Sequence, residues 1–256
     1  MNVAIIMPAY NEEKRIGKTL EAYSTYFENS WINYEILVVI NNTKDRTEEI
    51  VKGFAKKNKK IKYLTLAKGG KGYAITEGWK DALKRDFDLI GFVDADMATP
   101  PEAFHQLIKN INGYDGTIAD RRLKESIIEP RQKIKRRITS SVFNFLVRAL
   151  YFFPYRDTQC GAKIFKSEAL RKVVYNMGMT KWAFDVELLY LFHKEGFKIK
   201  PVKTIWKDMD FSKIDLRKSS VQMFFAVMQL RIIKSHFKRL LRPVKPLIGI
   251  LWRIVK

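Results

Sequence analysis

The sequence Leu89-Ile90-Gly91-Phe92-Val93-Asp94-Ala95-Asp96 places two acids, one residue apart, directly after an apolar run. An unbroken apolar run of this length is typical of a strand in a sheet that is covered on both faces. Ligands of such sheets bind at the carboxyl ends of the strands, where Asp94 and Asp96 fall. Two carboxylates at this edge can hold a divalent cation against a diphosphate, and a solvated acid pair at a strand end is the alternative.

Three further apolar runs precede this strand, and amphipathic segments separate them. The runs are residues 3–7, 36–40 and 61–66. The first segment between them has apolar residues at helical spacing, namely Ile16, Leu20, Tyr23 and Phe27. We predict a helix there, capped by Asn11 with Glu12 and Glu13 in its first turn. The alternation predicts an α/β fold with a mostly parallel central sheet flanked by helices.

Composition and charge narrow the class of protein. The chain has 256 residues with 46% apolar and 13% aromatic residues, which excludes a disordered or low-complexity protein. Its net charge of +21 predicts a polyanionic partner, either nucleic acid, a phosphorylated substrate or an anionic membrane. The excess is concentrated in two places, because residues 121–137 hold eight basic residues and two acids, and residues 216–256 hold ten basic residues and no acid.

The second half of the chain carries apolar segments that are too short to cross a bilayer. Residues 139–155 are apolar around most of a helical circumference, which indicates a helix that is buried or lies in a membrane interface. The tail, residues 219–256, is predicted to form two basic amphipathic helices at a membrane surface, and packing of these helices on the rest of the chain or on a partner chain is the alternative. The longest stretch without a charged residue has 12 residues, against the roughly 18–20 that span a bilayer. We therefore expect a peripheral, monotopic protein without a transmembrane helix or signal peptide, and the single cysteine, Cys160, favours a reducing compartment.

Polar loops follow the other predicted strands as well, and together they carry a family resemblance. These loops hold Pro8-Ala9-Tyr10-Asn11-Glu12, Asn41-Asn42-Thr43 and Gly69-Gly70-Lys71-Gly72. With Asp94-Ala95-Asp96, the chain resembles the family 2 glycosyltransferases, which have a GT-A fold. Residues 156–163 and 181–187, with Trp206, Ser212 and Lys213, make it most similar to the polyprenyl-phosphate glycosyltransferases, the dolichyl-phosphate glucosyltransferase branch before the mannose synthases.

The resemblance implies a donor site. Pro8, Tyr10, Glu12, Asn41, Lys71 and Asp94 would bind the nucleotide, and Asp94 and Asp96 would hold Mg²⁺ or Mn²⁺. Asn41 stands where relatives usually have an aspartate that reads the base, so this chain departs from the pattern. UDP-glucose is the favoured donor and GDP-mannose is the alternative.

The resemblance also implies an acceptor site for a dolichyl or other polyprenyl phosphate. Arginine binds phosphate with two parallel hydrogen bonds, so the basic clusters are candidates. By position the acceptor residues would be Arg121, Arg122, Arg131, Arg136, Ser140, Lys213 and Arg217. Of the remaining acids, we interpret Asp185 as orienting the acceptor or the sugar, and Asp157 as positioning Arg or Lys side chains; helix capping or an ion pair is the alternative for both.

These expectations combine into one reading with two rivals. Residues 1–217 are predicted to be a catalytic domain that transfers a hexose with inversion, and residues 218–256 to bind the cytoplasmic face of an anionic membrane; oligomerisation is left open. One rival is a family 2 enzyme with a glycan or glycolipid acceptor. The other is a basic nucleic-acid-binding protein, which we disfavour because strand-end acids repel nucleic-acid phosphates.

Overall fold

The computed structural model describes residues 1–130, 134–178, 183–207 and 216–233. Strands and helices alternate along most of this length. The strands are β1 (Asn2–Ala9), β2 (Asn33–Asn41), β3 (Ile61–Leu66), β4 (Leu89–Val93), β5 (Gly116–Ala119), β6 (Ile127–Glu129), β7 (Ala162–Lys166), β8 (Ile199–Val202) and β9 (Ile205–Lys207). The helices are α1 (Ile16–Glu28), α2 (Thr47–Lys57), α3 (Lys71–Ala82), α4 (Pro101–Lys109), α5 (Ile134–Tyr151), α6 (Ser167–Val174), α7 (Phe184–Lys194) and α8 (Leu216–Ile233).

The strands of the described residues form a mostly parallel central sheet, as the apolar runs predict. Seven of them lie in the order β3-β2-β1-β4-β7-β5-β8. The first four of that order run parallel to one another, whereas β7 is antiparallel to both of its neighbours. Because β7 runs in reverse, the loop that enters it lies at the same edge as the carboxyl ends of β4 and β5.

Helices cover both faces of the sheet, which explains the unbroken apolar runs. Ile6 of β1 belongs to a core that includes Trp79 of α3, and its neighbour Ile5 belongs to a second core that includes Leu20 of α1. Gly78 allows α3 to lie close to the sheet, since a Cβ atom there would be 2.6 Å from Ile6 Cγ2. Burying one large apolar side chain in these cores contributes about 1.5–3 kcal/mol to the free energy of folding.

The first helix begins later than the sequence predicts. Helix α1 starts at Ile16, and Asn11 has a positive φ of 53°. The Asn11 side chain does not cap the helix but accepts a hydrogen bond from Lys44 N at 2.8 Å. The prediction of an Asn11 cap was wrong because this side chain bonds to the loop after β2 instead.

The last described helix, α8, packs against α5. Tyr151 of α5 donates a hydrogen bond to the Val227 carbonyl of α8 at 2.8 Å, and Val227 is buried. The expected domain boundary at 217/218 falls within α8, and the division stays a prediction. Residues 234–256 of the predicted tail lie outside the described residues. In the part of the chain that the structure describes, no helix is both long and apolar enough to cross a bilayer.

Candidate active site

Two loops at the carboxyl edge of the sheet are tied together by hydrogen bonds. Three consecutive backbone amides, of Asn11, Glu12 and Glu13, donate respectively to Thr43 Oγ1 (3.1 Å), Thr47 Oγ1 (2.7 Å) and Asp45 Oδ2 (3.1 Å). Burial alone would raise the pKa of Asp45, but hydrogen bonds from Thr47, the Glu13 amide and Thr43 outweigh it and lower that pKa to about 2. The loops after β1 and β2 therefore form one unit around an ionised Asp45.

Three of the residues predicted to line the nucleotide pocket lie at the end of β1 or in the loop after it. Pro8 is buried within the strand, whereas Tyr10 is 51% exposed at its end and presents a ring surface. Glu12 forms a bidentate ion pair with Arg15, with N–O distances of 2.7 and 2.8 Å. Burial raises the pKa of Glu12 against the opposing effect of Arg15, and the nearby charges of the predicted metal acids raise it further.

Asn41 is buried at the end of β2 and bonds through both ends of its amide. Its Nδ2 donates to the Ala9 carbonyl at 3.1 Å, and its Oδ1 accepts from Gly70 N at 3.3 Å. Gly70 has a φ of 136°, in the region that favours glycine. Asn41 thus links the end of β1 to the glycine turn before α3, a bridge that requires one donor and one acceptor.

The Asp94-Ala95-Asp96 turn is fixed from three sides. Thr19 of α1 donates to the Ala95 carbonyl at 2.8 Å, and Asp96 Oδ1 accepts from Ala98 N at 2.9 Å. On the third side lies Gly161, whose carbonyl accepts from Asp94 N at 3.0 Å. A Cβ atom at Gly161 would lie 2.0 Å from Asp94 Oδ2, so only glycine leaves room for this carboxylate.

Lys71 and Asp94, both predicted site residues, are in direct contact. The Lys71 Nζ lies 2.5 Å from Asp94 Oδ1. Burial raises the pKa of Asp94, Lys71 lowers it, and the neighbouring carboxylates of Asp96 and Asp185 raise it, so that the net shift is upward. The structure therefore places Lys71 in contact with Asp94, and Asp96 and Asp185 near enough to act on Asp94 electrostatically.

Lys163 is a site residue that the sequence reasoning missed. It lies within β7, is fully buried, and donates to the Cys160 carbonyl at 2.7 Å and to Asp185 Oδ1 at 2.6 Å. Asp185 is in the first turn of α7, so this ion pair joins the helix to the sheet. Its signal in the sequence is a lysine flanked by apolar residues within a short strand, because a lysine that becomes buried there must find a counter-charge. Burial raises the pKa of the Cys160 thiol to about 12, which leaves it protonated.

Asp157 and Arg121 pair with each other. Arg121 Nε and Nη2 donate to the two oxygens of Asp157 at 2.7 and 2.9 Å, and the guanidinium lies 5.2 Å from the centre of the Trp206 ring. Burial would raise the pKa of Asp157, but Arg121 outweighs it and holds that pKa below its usual value. Because Arg121 is engaged in this way, Arg122 is the better placed of the two to bind an acceptor phosphate.

Arg122 and Ser140 are brought together as predicted acceptor residues. Arg122 donates to Ser140 Oγ at 3.0 Å and to Ser141 Oγ at 3.1 Å, both on α5. Among the described residues, the hydrogen-bond partners of this guanidinium are thus neutral hydroxyls. Four further predicted residues are not described at side-chain level. Arg131 and Lys213 lie outside the described residues, and Arg136 and Arg217 lie on α5 and α8 with side chains outside them.

Helix α5 is also tied to this edge of the sheet. Asn144 of α5 is buried, and its Oδ1 accepts from both the amide and the hydroxyl of Thr158 at 3.2 Å. Thr158 follows Asp157 directly. The helix that carries Ser140 is therefore anchored to the loop that carries the partner of Arg121.

The predicted metal ligands fit a hard divalent cation. No group of three or more His, Cys, Asp or Glu side chains in the described ranges forms a complete metal cage. Asp94 and Asp96 offer two carboxylates one residue apart instead. Mg²⁺ is commonly held by one or two carboxylates, with substrate phosphates and water completing its coordination. A metal that binds together with a diphosphate suits this donor set.

A parallel sheet with an Asp-Ala-Asp turn at its carboxyl edge, flanked by a lysine and a glycine-rich turn, defines a glycosyltransferase of the GT-A fold. The sequence profile of glycosyl transferase family 2 matches residues 4–174, more than half of the chain, and this chain belongs to that family. The resemblance inferred from its motifs is confirmed.

Curated relatives are a little over 30% identical to this chain over the aligned residues. It is 31% identical over 239 residues to "Dolichyl-phosphate beta-glucosyltransferase ALG5C" of Trichomonas vaginalis, covering 89% of this chain and 70% of the relative. It is 32% identical to the dolichyl-phosphate beta-glucosyltransferase of Drosophila melanogaster, covering 87% and 72%. The Homo sapiens protein of that name is 31% identical, with coverage of 83% and 69%.

Solved structures agree on the fold. Glucosyl-3-phosphoglycerate synthase from Mycobacterium tuberculosis, in complex with Mn²⁺, uridine diphosphate and glucosyl-3-phosphoglycerate, superposes with a TM-score of 0.67 at 16% identity, covering 92% of this chain and 81% of that one. The same enzyme with phosphoglyceric acid gives a TM-score of 0.68 at 17% identity, with the same coverage. At this level of identity the likeness shows the shared fold.

Proposed function

We propose that this chain is an inverting glycosyltransferase that moves glucose from UDP-glucose to dolichyl phosphate or a related polyprenyl phosphate at a membrane surface. One observation carries the proposal: the Arg122–Ser140 contact lies beside the exposed apolar residues Val142 and Phe145 on the same helix. A phosphate with a lipid tail needs both features. The names of the curated relatives support this acceptor and sugar, and GDP-mannose is the alternative donor.

On the donor side, the chain would bind the nucleotide at the edge formed by Tyr10, Glu12 and the Asn41 bridge. Asp94 and Asp96 would hold Mg²⁺ or Mn²⁺, in keeping with the Mn²⁺ and uridine diphosphate bound by the structural neighbour. Such an ion would act as a Lewis acid that stabilises charge on the departing nucleoside diphosphate. Thr19 and Gly161 keep the two carboxylates in place through their contacts with the Asp-Ala-Asp turn.

On the acceptor side, Arg122 and Ser140 would bind the lipid phosphate. The second ionisation of a phosphate monoester lies near pH 6, so at neutral pH the acceptor oxygen is already nucleophilic and needs no strong base. That oxygen attacks the anomeric carbon as the bond to the diphosphate breaks, and the nucleoside diphosphate leaves with the bonding electrons. Asp185 would orient the acceptor or sugar, and Asp157 would act through Arg121 by holding it in place.

The membrane surface is proposed to contact the outer face of α5. Val142, Phe145 and Phe152 are 60%, 72% and 78% exposed and fall on one side of the helix and its extension. Arg148 and Arg156 are exposed nearby, as suits an anionic leaflet. We propose that residues 1–217 form the catalytic domain, that residues 218–256 add to this contact, and that the enzyme is peripheral on the cytoplasmic face.

A transfer assay tests the reaction. Purified protein with Mg²⁺ or Mn²⁺ and a polyprenyl phosphate in liposomes receives radiolabelled UDP-glucose, GDP-mannose or UDP-N-acetylglucosamine in parallel. We expect label from UDP-glucose to enter the lipid phase, with loss of transfer in Asp96→Ala and at least about a tenfold loss in Arg122→Gln. Hydrolysis of the donors without lipid labelling would reject the polyprenyl-phosphate acceptor and favour a glycan or glycolipid.

A flotation assay tests the membrane contact separately. The double variant Phe145→Ser/Phe152→Ser should lose most of its binding to anionic liposomes, because two exposed aromatic side chains no longer enter the interface. Tyr175→Ser is the matched control, since Tyr175 is 62% exposed and follows α6. Equal flotation of the double variant and the wild type would contradict the proposed contact.

A further inference from the structure

The lysine of the glycine-rich turn stands where a cation for Asp94 is required. Its ammonium lies 2.5 Å from Asp94 Oδ1, so the two groups form a direct ion pair. Burial is the main cause of the raised pKa of Asp94, and the nearby charge of Asp96 adds to it. In this arrangement Lys71 supplies the positive charge that keeps the two acids together.

The backbone around Lys71 is closely packed, whereas the Lys71 side chain is partly exposed. Lys71 is the first residue of α3, between Gly70 in its left-handed conformation and Gly72, where a Cβ atom would lie 2.7 Å from the Phe184 side chain. The Lys71 side chain is nonetheless 47% exposed. Its ammonium contacts Asp94 and lies 5.8 Å from the centre of the Phe92 ring, so the partly exposed side chain can change its rotamer while the backbone stays in place.

A second carboxylate lies within reach of the same ammonium. Loss of hydration lowers the pKa of Lys71, but attraction to Asp94, Asp185 and Asp96 outweighs it and leaves the pKa raised. Asp185 is itself held by the buried Lys163 at 2.6 Å. Lys71 is therefore also attracted to Asp185, a carboxylate that Lys163 holds in place.

We propose that Lys71 is a built-in counter-cation that occupies the cation position at Asp94 until a divalent metal displaces it. The inference rests on the proposed use of Asp94 and Asp96 as metal ligands. An ammonium and a divalent ion repel each other and compete for the same carboxylate oxygen, so metal binding requires Lys71 to move. The displaced ammonium stays near Asp185 and becomes available to the diphosphate of the donor. Metal and donor would then bind together more readily than metal alone.

Direct measurement of Mn²⁺ binding, with no nucleotide or lipid present, tests this displacement. Free Mn²⁺ is followed by electron paramagnetic resonance, and Asp96→Ala gives the background. We expect Lys71→Met to bind Mn²⁺ about tenfold more tightly than the wild type, because the competing charge is gone. Lys68→Met is the matched control: Lys68 is an exposed lysine of the same turn and lies over the Tyr73 ring at 5.1 Å. It should bind Mn²⁺ as the wild type does.

A second measurement uses the wild-type chain, so it holds even where Lys71→Met fails to fold. Acylation of lysines is followed by mass spectrometry with and without Mn²⁺. Added Mn²⁺ should increase labelling of Lys71 several-fold, since the ammonium loses its closest anion, and should leave Lys68 unchanged. Unchanged labelling of Lys71, or Mn²⁺ affinity in Lys71→Met equal to or weaker than that of the wild type, would overturn the proposal. Mn²⁺ binding that Asp96→Ala leaves intact would instead reject the metal site itself, whatever the result at Lys71.

Discussion

Asp157 and Arg121 form a two-bond ion pair that joins the loop before β7 to the end of β5. The carboxylate is 1% exposed and the guanidinium 18% exposed, and both distances are below 3 Å. Parallel N–H···O bonds of this kind fix orientation as well as charge. The pair therefore sets the position of the chain segment that continues into Arg122.

Removing the charge of Asp157 should destabilise the protein strongly. In Asp157→Asn the mostly buried Arg121 loses its counter-charge, so we expect the free energy of unfolding to fall by about 3 kcal/mol at pH 7, measured by urea denaturation. The pKa of Asp157 is lowered in the folded state, so its contribution is present above the unfolded value near 4 and is lost as pH falls below it. The difference between variant and wild type should shrink below about pH 4.

The control for this prediction is Glu125→Gln, an exposed carboxylate that follows β5 and precedes β6. It should change the free energy of unfolding by no more than about 0.5 kcal/mol. If Asp157→Asn behaves like this control, the ion pair does not hold the segment.

Asn41→Asp should weaken the link between β1 and the glycine turn. A carboxylate can still accept from Gly70 N but cannot donate to the Ala9 carbonyl. We expect a loss of about 1–3 kcal/mol in the free energy of unfolding at pH 8. Burial would raise the pKa of the new carboxyl, so protonation on acidification should restore a donor and reduce the loss at pH 5.

Denaturation of the variant and the wild type at both pH values checks this. A loss that is the same at pH 5 and pH 8 would mean that donation to Ala9 is not what Asn41 contributes. The comparison variant is Asn42→Asp, an exposed neighbour, which should show little change at either pH.

Lys163 is expected to act on the proposed reaction through Asp185. In Lys163→Met the carboxylate of Asp185 loses its buried partner and its orientation, so we expect kcat to fall about tenfold with a smaller change in the donor KM. Stability should fall by about 2 kcal/mol, since Asp185 is 18% exposed and can regain some hydration. The double variant Lys163→Met/Asp185→Asn should recover most of the stability but not the rate. Recovery of both would make the pair purely structural.

The strands and the acidic turn were predictable because both depend on local sequence. An apolar run fixes a doubly covered strand, and the position directly after it places Asp94 and Asp96 at the ligand-binding edge. The pairing of Arg121 with Asp157 was not predictable from spacing, because it depends on β7 running antiparallel between β4 and β5. Basic residues near an expected phosphate were therefore all assigned to the acceptor, although Arg121 is engaged within the fold.

The same limit explains Asn11 and Lys163. Asparagine is a common helix-capping residue, so Asn11 was a reasonable candidate. Its side chain accepts a hydrogen bond from Lys44 N instead, and this partner becomes apparent only when the loop after β2 is in place. The sequence shows Lys163 as a charged residue flanked by apolar ones. Its partner, Asp185, lies in α7, 22 residues further along the chain. When a charged or polar side chain has its partner on another strand, helix or loop, its role can be assigned only after the topology of the fold is known.

Gly161→Ala should disable the Asp-Ala-Asp turn without unfolding the chain. The added methyl group would lie 2.0 Å from Asp94 Oδ2 and 2.5 Å from its Cγ, so the carboxylate has to turn away from its present position. Since the proposed metal site has two carboxylates, displacing one should weaken Mn²⁺ binding and lower transfer by at least about tenfold. Gly53→Ala is the matched control, because Gly53 lies within α2 and a Cβ atom there would meet nothing within 4 Å. That variant should keep wild-type transfer and gain up to about 1 kcal/mol in stability, as alanine favours a helix more than glycine does. Mn²⁺ binding and transfer in Gly161→Ala that match those of Gly53→Ala would show that the close approach of Gly161 to Asp94 is not needed for the site.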